Sequence, residues 1–184
     1  MSQTEFQGRV WVLLDKKGAL IEDIDTDQIF HNAHLHITDL KQMGPYALGN
    51  LEGWKDFPSK ARPGDILVAG RNFGAGSSRQ QAVDCFIALG LAAILAPSFG
   101  AIYFRNAVNS GLPVLRGKAL EETITRGKLV SGDEIKVDGL SGRAEILDKT
   151  VSFEVVPFSR VQADILRAGN LFLFGKTLGN PGRP

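Results

Sequence analysis

The stretch Gly74-Ala75-Gly76-Ser77-Ser78-Arg79 gathers the residue types needed to receive an anion. Gly74 and Gly76 can take positive φ and let the backbone approach a ligand closely. Ser77 and Ser78 suit the cap and first turn of a helix. Arg79 adds a permanent cation whose planar fork matches a carboxylate. Ahead of the loop, Ile66-Leu67-Val68-Ala69 has strand character; behind it, Ala82, Val83, Phe86, Ile87 and Leu89 fall at helical spacing over Gln80–Leu89. The order is strand, glycine loop, helix, and the helix start would bring unpaired N–H groups and about half a positive charge. A P-loop is excluded, because Ala75 stands where its second glycine belongs and the loop holds no lysine. A dinucleotide fingerprint is excluded, because Arg79 replaces its third glycine. A carboxylate is the anion that fits best. A tight turn with an ordinary serine cap would use the same residues, and spacing alone does not separate the two.

A second cluster lies upstream. In Asp25-Thr26-Asp27-Gln28-Ile29 the acidic and hydroxyl groups can shape a local turn by bonding nearby backbone. The chain's three histidines follow at once in His31-Asn32-Ala33-His34-Leu35-His36-Ile37-Thr38-Asp39. Imidazole is a common metal ligand; no cysteine is near to complete a set, although Asp39 could, and no metal is assigned to this chain. Cys85, the single cysteine, sits beside Phe86 and reads as core.

Composition narrows the function classes. A chain of 184 residues with 43% hydrophobic content fits one domain with a sizeable core. A formal net charge of +1, with no basic run and no aromatic platform, argues against nucleic acid as a partner. With no long apolar span and no basic-then-apolar leader, neither a membrane helix nor a secretory signal is expected, and cytoplasm is the default compartment. One cysteine excludes an internal disulfide and a self-contained iron–sulfur cluster, which takes several thiolates.

The elements that must position the two clusters follow from periodicity. Met1–Gln7 reads as a loose leader and Gly8–Leu14 as a strand. Leu40–Leu51 reads as a short helix broken at Gly44-Pro45. Ala92–Ala96 reads as a buried strand, and Ser98 as the cap of a helix over Phe99–Asn109, with Gly111 ending it and a strand from Pro113 to Leu115. On that helix, Arg105 and Asn106 could brace a cleft or contact a partner. After a short helix at Leu120–Arg126, the alternating runs Glu134–Asp138, Arg143–Leu147 and Val151–Val156 suggest a small antiparallel region. Ser159–Leu166 reads as a capped helix ended by Gly169, and Gly175–Pro184 as a disordered Gly/Pro-rich tail. The whole is α/β to α+β in class, one domain over 1–184 with flexible ends at 1–7 and 175–184.

Gly74-x-Gly76-Ser77-Ser78-Arg79, Leu91–Phe99, Arg105–Pro113 and Asp25-Thr26-Asp27 together resemble the swivel domain of the aconitase superfamily, over roughly Gly8 to Asp138. Size and order resemble the separate small subunits of the isopropylmalate isomerase group within it. The resemblance implies a three-layer β/β/α swivelling domain, as in the aconitase C-terminal domain. It implies a subunit of a hydro-lyase acting on a hydroxy-dicarboxylate, with 3-isopropylmalate the foremost substrate class and leucine biosynthesis the setting. Homoaconitate, citramalate and dimethylmalate-type substrates are the alternatives on the same scaffold. A non-catalytic carboxylate-binding or regulatory module is the alternative from another class. The resemblance further implies Ser77 as catalytic base, and Ser78, Arg79, Thr26 and Asp27 as substrate-binding residues. His34-Leu35-His36-Ile37 would be the specificity loop. Any [4Fe–4S] cluster would sit on a large partner subunit, none being bound here. Where the family usually has Glu-His after the arginine, this chain has Gln80-Gln81.

Overall fold

Apolar runs rich in Val, Ile, Leu and Ala build the parallel half of a sheet, and alternating runs build its antiparallel half. The computed structural model describes residues 3–117 and 119–179. Strands β1 (Glu5–Val12), β2 (Ile66–Val68), β3 (Ala93–Ala96) and β4 (Val114–Arg116) pair in parallel. Every residue of β2 and β3 is buried, as expected of strands covered on both faces. Strands β5 (Glu134–Asp138), β6 (Arg143–Ile146) and β7 (Val151–Glu154) are antiparallel, with β5 against β1. The order across the sheet is β4-β3-β2-β1-β5-β6-β7.

The helices are α1 (Thr26–Ile29), α2 (Phe57–Lys60), α3 (Gln81–Leu89), α4 (Ala101–Ser110), α5 (Leu120–Thr125), α6 (Arg160–Ala168) and α7 (Leu171–Leu178). Because side chains alternate across a strand, β2 and β3 feed two cores. Leu67, Ile94 and Ala96 pack under α3 and α4 with Phe73, Phe86 and Tyr103. Ile66, Val68, Ala93 and Leu95 face the other way and meet Ile135, Val137, Ile146 and Phe153 of the antiparallel half, which curls over them. The result is the expected β/β/α layering. Among the described residues no helix is long and apolar enough to cross a membrane.

Several boundaries differ from the sequence reading. The supposed leader is structured from Glu5 onward: Glu5, Phe6 and Gln7 pair with Asp138, Val137 and Lys136, and Phe6 is buried. The polar alternation of Glu5 and Gln7 hid half a strand. Residues 175–178, assigned to a disordered tail, close α7, which Asn170 starts by accepting the Leu173 N–H at 2.8 Å. The rest of the tail, from residue 180, and residues 1–2 lie outside the described residues. Leu40–Leu51 forms 3-10 turns at Leu40–Gln42 and Gly44–Tyr46 and no longer helix, since Pro45 denies a hydrogen bond. Ser98 does not cap α4. Its Oγ accepts the Asn72 N–H at 2.8 Å, and Gly100 occupies the cap position.

Candidate active site

The glycine loop leaves the carboxyl end of β2, the end of parallel strands where ligands bind in open α/β sheets, and is clamped there by the segment leading into α1. The Ile24 carbonyl accepts from the Gly74 and Ala75 N–H groups at 2.7 and 3.2 Å, and the Thr26 N–H donates back to the Ala75 carbonyl at 2.9 Å. Asp25 caps α1 by accepting from the Asp27 and Gln28 N–H groups, with the Gln28 side chain reaching back in a capping box. Gly74 has φ +77°, and a Cβ there would lie 2.2 Å from Cγ of Tyr103. The loop can therefore lie flat on α4 only because that residue is glycine. Gly76 has φ +91°, and a Cβ there would meet only ordinary contacts, Thr26 Oγ1 at 3.8 Å being the nearest, so conformation alone requires it.

This clamp sets the side chains face to face. Thr26, 2% exposed, places Oγ1 3.1 Å from Oγ of Ser77, which is exposed. Ser78, also exposed, accepts from Asn106 Nδ2 on α4 at 3.4 Å. The Arg79 side chain is only 13% exposed. Its Nη1 donates to Asp27 Oδ1 at 2.8 Å, to the Phe30 carbonyl at 2.5 Å and to the Thr26 carbonyl at 3.3 Å. Among the described residues, Nη2 and Nε meet no acceptor, so one edge of the guanidinium stays open. Asp27 also receives the Asn32 N–H and Asn50 Nδ2, at 3.1 and 3.0 Å. The hydrogen bond from Arg79 holds the Asp27 carboxyl below the usual carboxylate range.

The serines do not cap the following helix. Helix α3 begins at Gln81, its cap position is Gln80, and no side chain caps it. The left-handed Gly76 and the pull of Arg79 toward α1 hold residues 77–79 outside helical conformation. Ser77 therefore lacks the helix N–H groups anticipated for it, and the hydroxyl of Thr26 is its one hydrogen-bond partner among the described residues.

The histidine segment forms a local structure of its own. His31 starts a 3-10 turn over Asn32–His34 with Nδ1 accepting the Ala33 N–H at 3.2 Å. The His34 ring lies 4.2 Å from that of Tyr46. His36 Nδ1 stands 3.0 Å from the Ala33 carbonyl oxygen, a contact that needs the proton on Nδ1. Ile37 packs against the core, whereas Leu35 is 38% exposed and His36 is exposed. Of the four loop residues, only Leu35 and His36 thus face outward. Among the described residues, no three His, Cys, Asp or Glu side chains converge as a metal set.

Two contributors, Asn50 and Tyr103, escaped the sequence reading. Asn50 holds Asp27 from 23 residues away, a separation no local pattern signals. Tyr103 forms the wall on which Gly74 rests. Gln80 Nε2 donates to Asp84 Oδ1 and Ser110 Oγ, both at 2.8 Å, and Gln81 Nε2 donates to the Leu35 carbonyl at 3.5 Å. The pair replacing Glu-His thus ties α3 to α4 and to the outward loop without charge.

Residues 23–119, which span both halves of this corner, match the family model of the aconitase C-terminal domain. The chain belongs to that family. Within it, the 3-isopropylmalate dehydratase small subunit of Caldicellulosiruptor saccharolyticus is 39% identical over 84% of this chain and 86% of its own length. The methanogen homoaconitase small subunit of Methanothermobacter thermautotrophicus is 37% identical over 90% of this chain and 87% of its own. The crystal structure of 3-isopropylmalate dehydratase (leuD) from Methanocaldococcus jannaschii superposes with a TM-score of 0.81 at 29% identity, covering 95% of both chains. The aconitase-type swivel architecture therefore stands on sequence and fold together.

Proposed function

We propose that this chain is the small subunit of a 3-isopropylmalate dehydratase, a hydro-lyase that interconverts 3- and 2-isopropylmalate through isopropylmaleate. The observation that carries it is the open edge of Arg79 beside two exposed serine hydroxyls. Such a corner can hold one carboxylate of a dicarboxylic acid and place a base next to the carbon it activates. Arg79 takes the carboxylate with Nη2 and Nε, its Nη1 edge being fixed by Asp27. Ser78, braced by Asn106, orients the same group.

Ser77 is the base. A serine hydroxyl works as one only as an alkoxide, and an alkoxide only accepts hydrogen bonds. Thr26 must then donate across the 3.1 Å contact. A hydrogen bond to a charged group contributes about 1.5–3 kcal/mol, too little by itself to make serine basic near neutral pH. The rest of the stabilisation falls to a second chain closing over this open corner.

The residues of this chain do not fit an iron–sulfur cluster. Cys85 is fully buried in the core, where burial pushes its thiol far up, away from the thiolate a metal needs. In this proposal the large subunit carries the cluster, which supplies the Lewis acidity that a departing hydroxyl requires.

The test is reconstitution with the large subunit from the same organism against 3-isopropylmalate, homoaconitate, citramalate and dimethylmalate. Turnover is expected with 3-isopropylmalate first, loss of turnover on Ser77→Ala, and no iron or activity in the chain alone. Full activity of Ser77→Ala would leave a carboxylate-binding module in place of a catalytic subunit. A homoaconitase is the second reading, favoured by the 37% identity to the methanogen homoaconitase small subunit and by the outward His36. A preference for homoaconitate in the same panel would select it.

A further inference from the structure

Helix α4 shows one face that the fold leaves uncovered. Ile102, Arg105, Asn106 and Asn109 recur at helical spacing along it, with Ile102 44% exposed and Arg105 exposed. Asn106 reaches Ser78 on one side of this face. On the other side, Arg105 and Asn109 form the lip of a groove of about 450 Å3 between α4, β4 and residues 156–158. Its wall is apolar, with Phe104, Val108, Val156 and Phe158, and it contains no carboxylate. Most arginines of the described residues lie within 4.0 Å of a carboxylate; of the three that do not, Arg105 and Arg116 both line the groove and Arg62 lies outside it. Arg116 lies instead over the Phe104 ring, 4.4 Å from its centroid. Val156 adds exposed apolar surface beside them.

Arginine and aromatic side chains around an apolar floor are the composition of a protein–protein contact, where arginine is enriched and lysine depleted. The groove is contiguous with the corner that another chain must close. We propose that this face of α4, from Asn106 across Arg105 into the groove, is where the large subunit docks, and that the docking segment is apolar and carries carboxylates for Arg105 and Arg116. This rests on the reading of the chain as a small subunit. It adds that the contact covering Ser78 and the contact filling the groove share one helix, so that docking fixes Asn106 against Ser78.

The experiment titrates the full chain with its large subunit by calorimetry and by activity, at two salt concentrations. Four forms are compared: wild type, Arg62→Glu, and the double variants Arg105→Glu/Arg116→Glu and Arg105→Gln/Arg116→Gln. Arg62 is an exposed arginine at the opposite end of β2 from the loop and serves as the control. Wild type and Arg62→Glu are expected to associate alike. The glutamate pair is expected to weaken association about tenfold or more and to flatten its salt dependence, and the glutamine pair to do so by a smaller factor. Activity is expected to return with excess large subunit. The glutamine pair decides the matter if melting curves show that the glutamate pair misfolds. Association of both double variants at wild-type strength overturns the docking surface while leaving the small-subunit reading intact. If instead those variants lose binding of 4-methylpentanoate, a probe branched carboxylate, the groove is a ligand site and docking there is overturned. Failure of the wild type itself to associate overturns the small-subunit reading, and the docking surface falls with it.

Discussion

Thr26 Oγ1 and Ser77 Oγ lie 3.1 Å apart across 51 residues of sequence, one hydroxyl buried and the other open to solvent. Among the described residues the buried hydroxyl has no other hydrogen-bond partner, so it serves the exposed one. Thr26→Val keeps the shape and removes the hydroxyl. In the reconstituted enzyme, kcat is expected to fall about 10- to 100-fold, less than the roughly 10²–10⁴-fold of a full general base because Thr26 only assists Ser77. The melting temperature should change by only a few degrees, as expected for about 1 kcal/mol from one hydrogen bond. Steady-state kinetics beside a melting curve checks both. An unchanged kcat removes Thr26 from the proton-transfer step.

Arg79 is held by one edge and open on the other, so charge and fork can be tested separately. Arg79→Lys keeps the cation and loses the planar edge. KM is expected to rise at least about tenfold, the scale of a lost bidentate charged hydrogen bond. Arg79→Ala is expected to abolish turnover with the fold intact by circular dichroism. A lysine variant with native KM would mean that no carboxylate uses that edge.

The ion pair also predicts a pH dependence. Arg79 holds the folded pKa of Asp27 below its unfolded value of about 3.9. The stability this contributes is complete above that value and is lost as pH falls through the folded pKa. Denaturation of wild type between about pH 4 and pH 2 should therefore steepen with acid more than that of Asp27→Asn, which has no proton to take up. Equal slopes would show that the pair adds nothing at this site.

Gly74 and Gly76 predict different costs for the same change. Gly74→Ala must both hold φ +77° and displace the Tyr103 ring, so roughly 2–4 kcal/mol of stability should be lost. Gly76→Ala meets only the conformational penalty at φ +91°, its nearest neighbour being Thr26 Oγ1 at 3.8 Å, and should lose about 1 kcal/mol. Denaturant titration of both variants separates packing from backbone conformation. Equal losses would contradict the contact with Tyr103.

The sequence carried the sheet and the loop because both are local. Ile66–Ala69 and Ala92–Ala96 are uninterrupted apolar runs, and a strand buried on both faces leaves that trace. Gly74 and Gly76 announced positive φ by their identity alone. What failed was whatever depended on distant partners. Glu5 and Gln7 look like a polar leader until β5 supplies their ladder. Ser77 and Ser78 look like helix caps until Arg79, drawn to Asp27 and to the Phe30 carbonyl, holds them outside α3. The three histidines gave no sign of their partners, the Tyr46 ring for His34 and the Ala33 backbone for His31 and His36. The segment His34–Ile37 was legible as a position, not as a surface: which of its side chains face outward depends on Tyr46 and on the core beneath Ile37.

That last point gives the substrate prediction. Of His34-Leu35-His36-Ile37, the ring of His34 is taken up by Tyr46 and Ile37 by the core, so Leu35 and His36 meet what lies outside. An isopropyl group gains from an apolar neighbour, whereas a carboxymethyl substituent must be paired with a cation to leave water. Leu35→Arg supplies that cation on a turn whose backbone is held by Gln81. In the reconstituted enzyme, kcat/KM for 3-isopropylmalate is expected to fall about 10- to 100-fold, a loss of about 1–3 kcal/mol for an apolar contact. The value for homoaconitate should rise. Leu35→Ala should lower the first without raising the second, and His36→Ala should leave the apolar substrate nearly unaffected. Should Leu35→Arg leave the ratio of the two substrates unchanged, discrimination would have to reside on the large subunit, with the loop reduced to a cover.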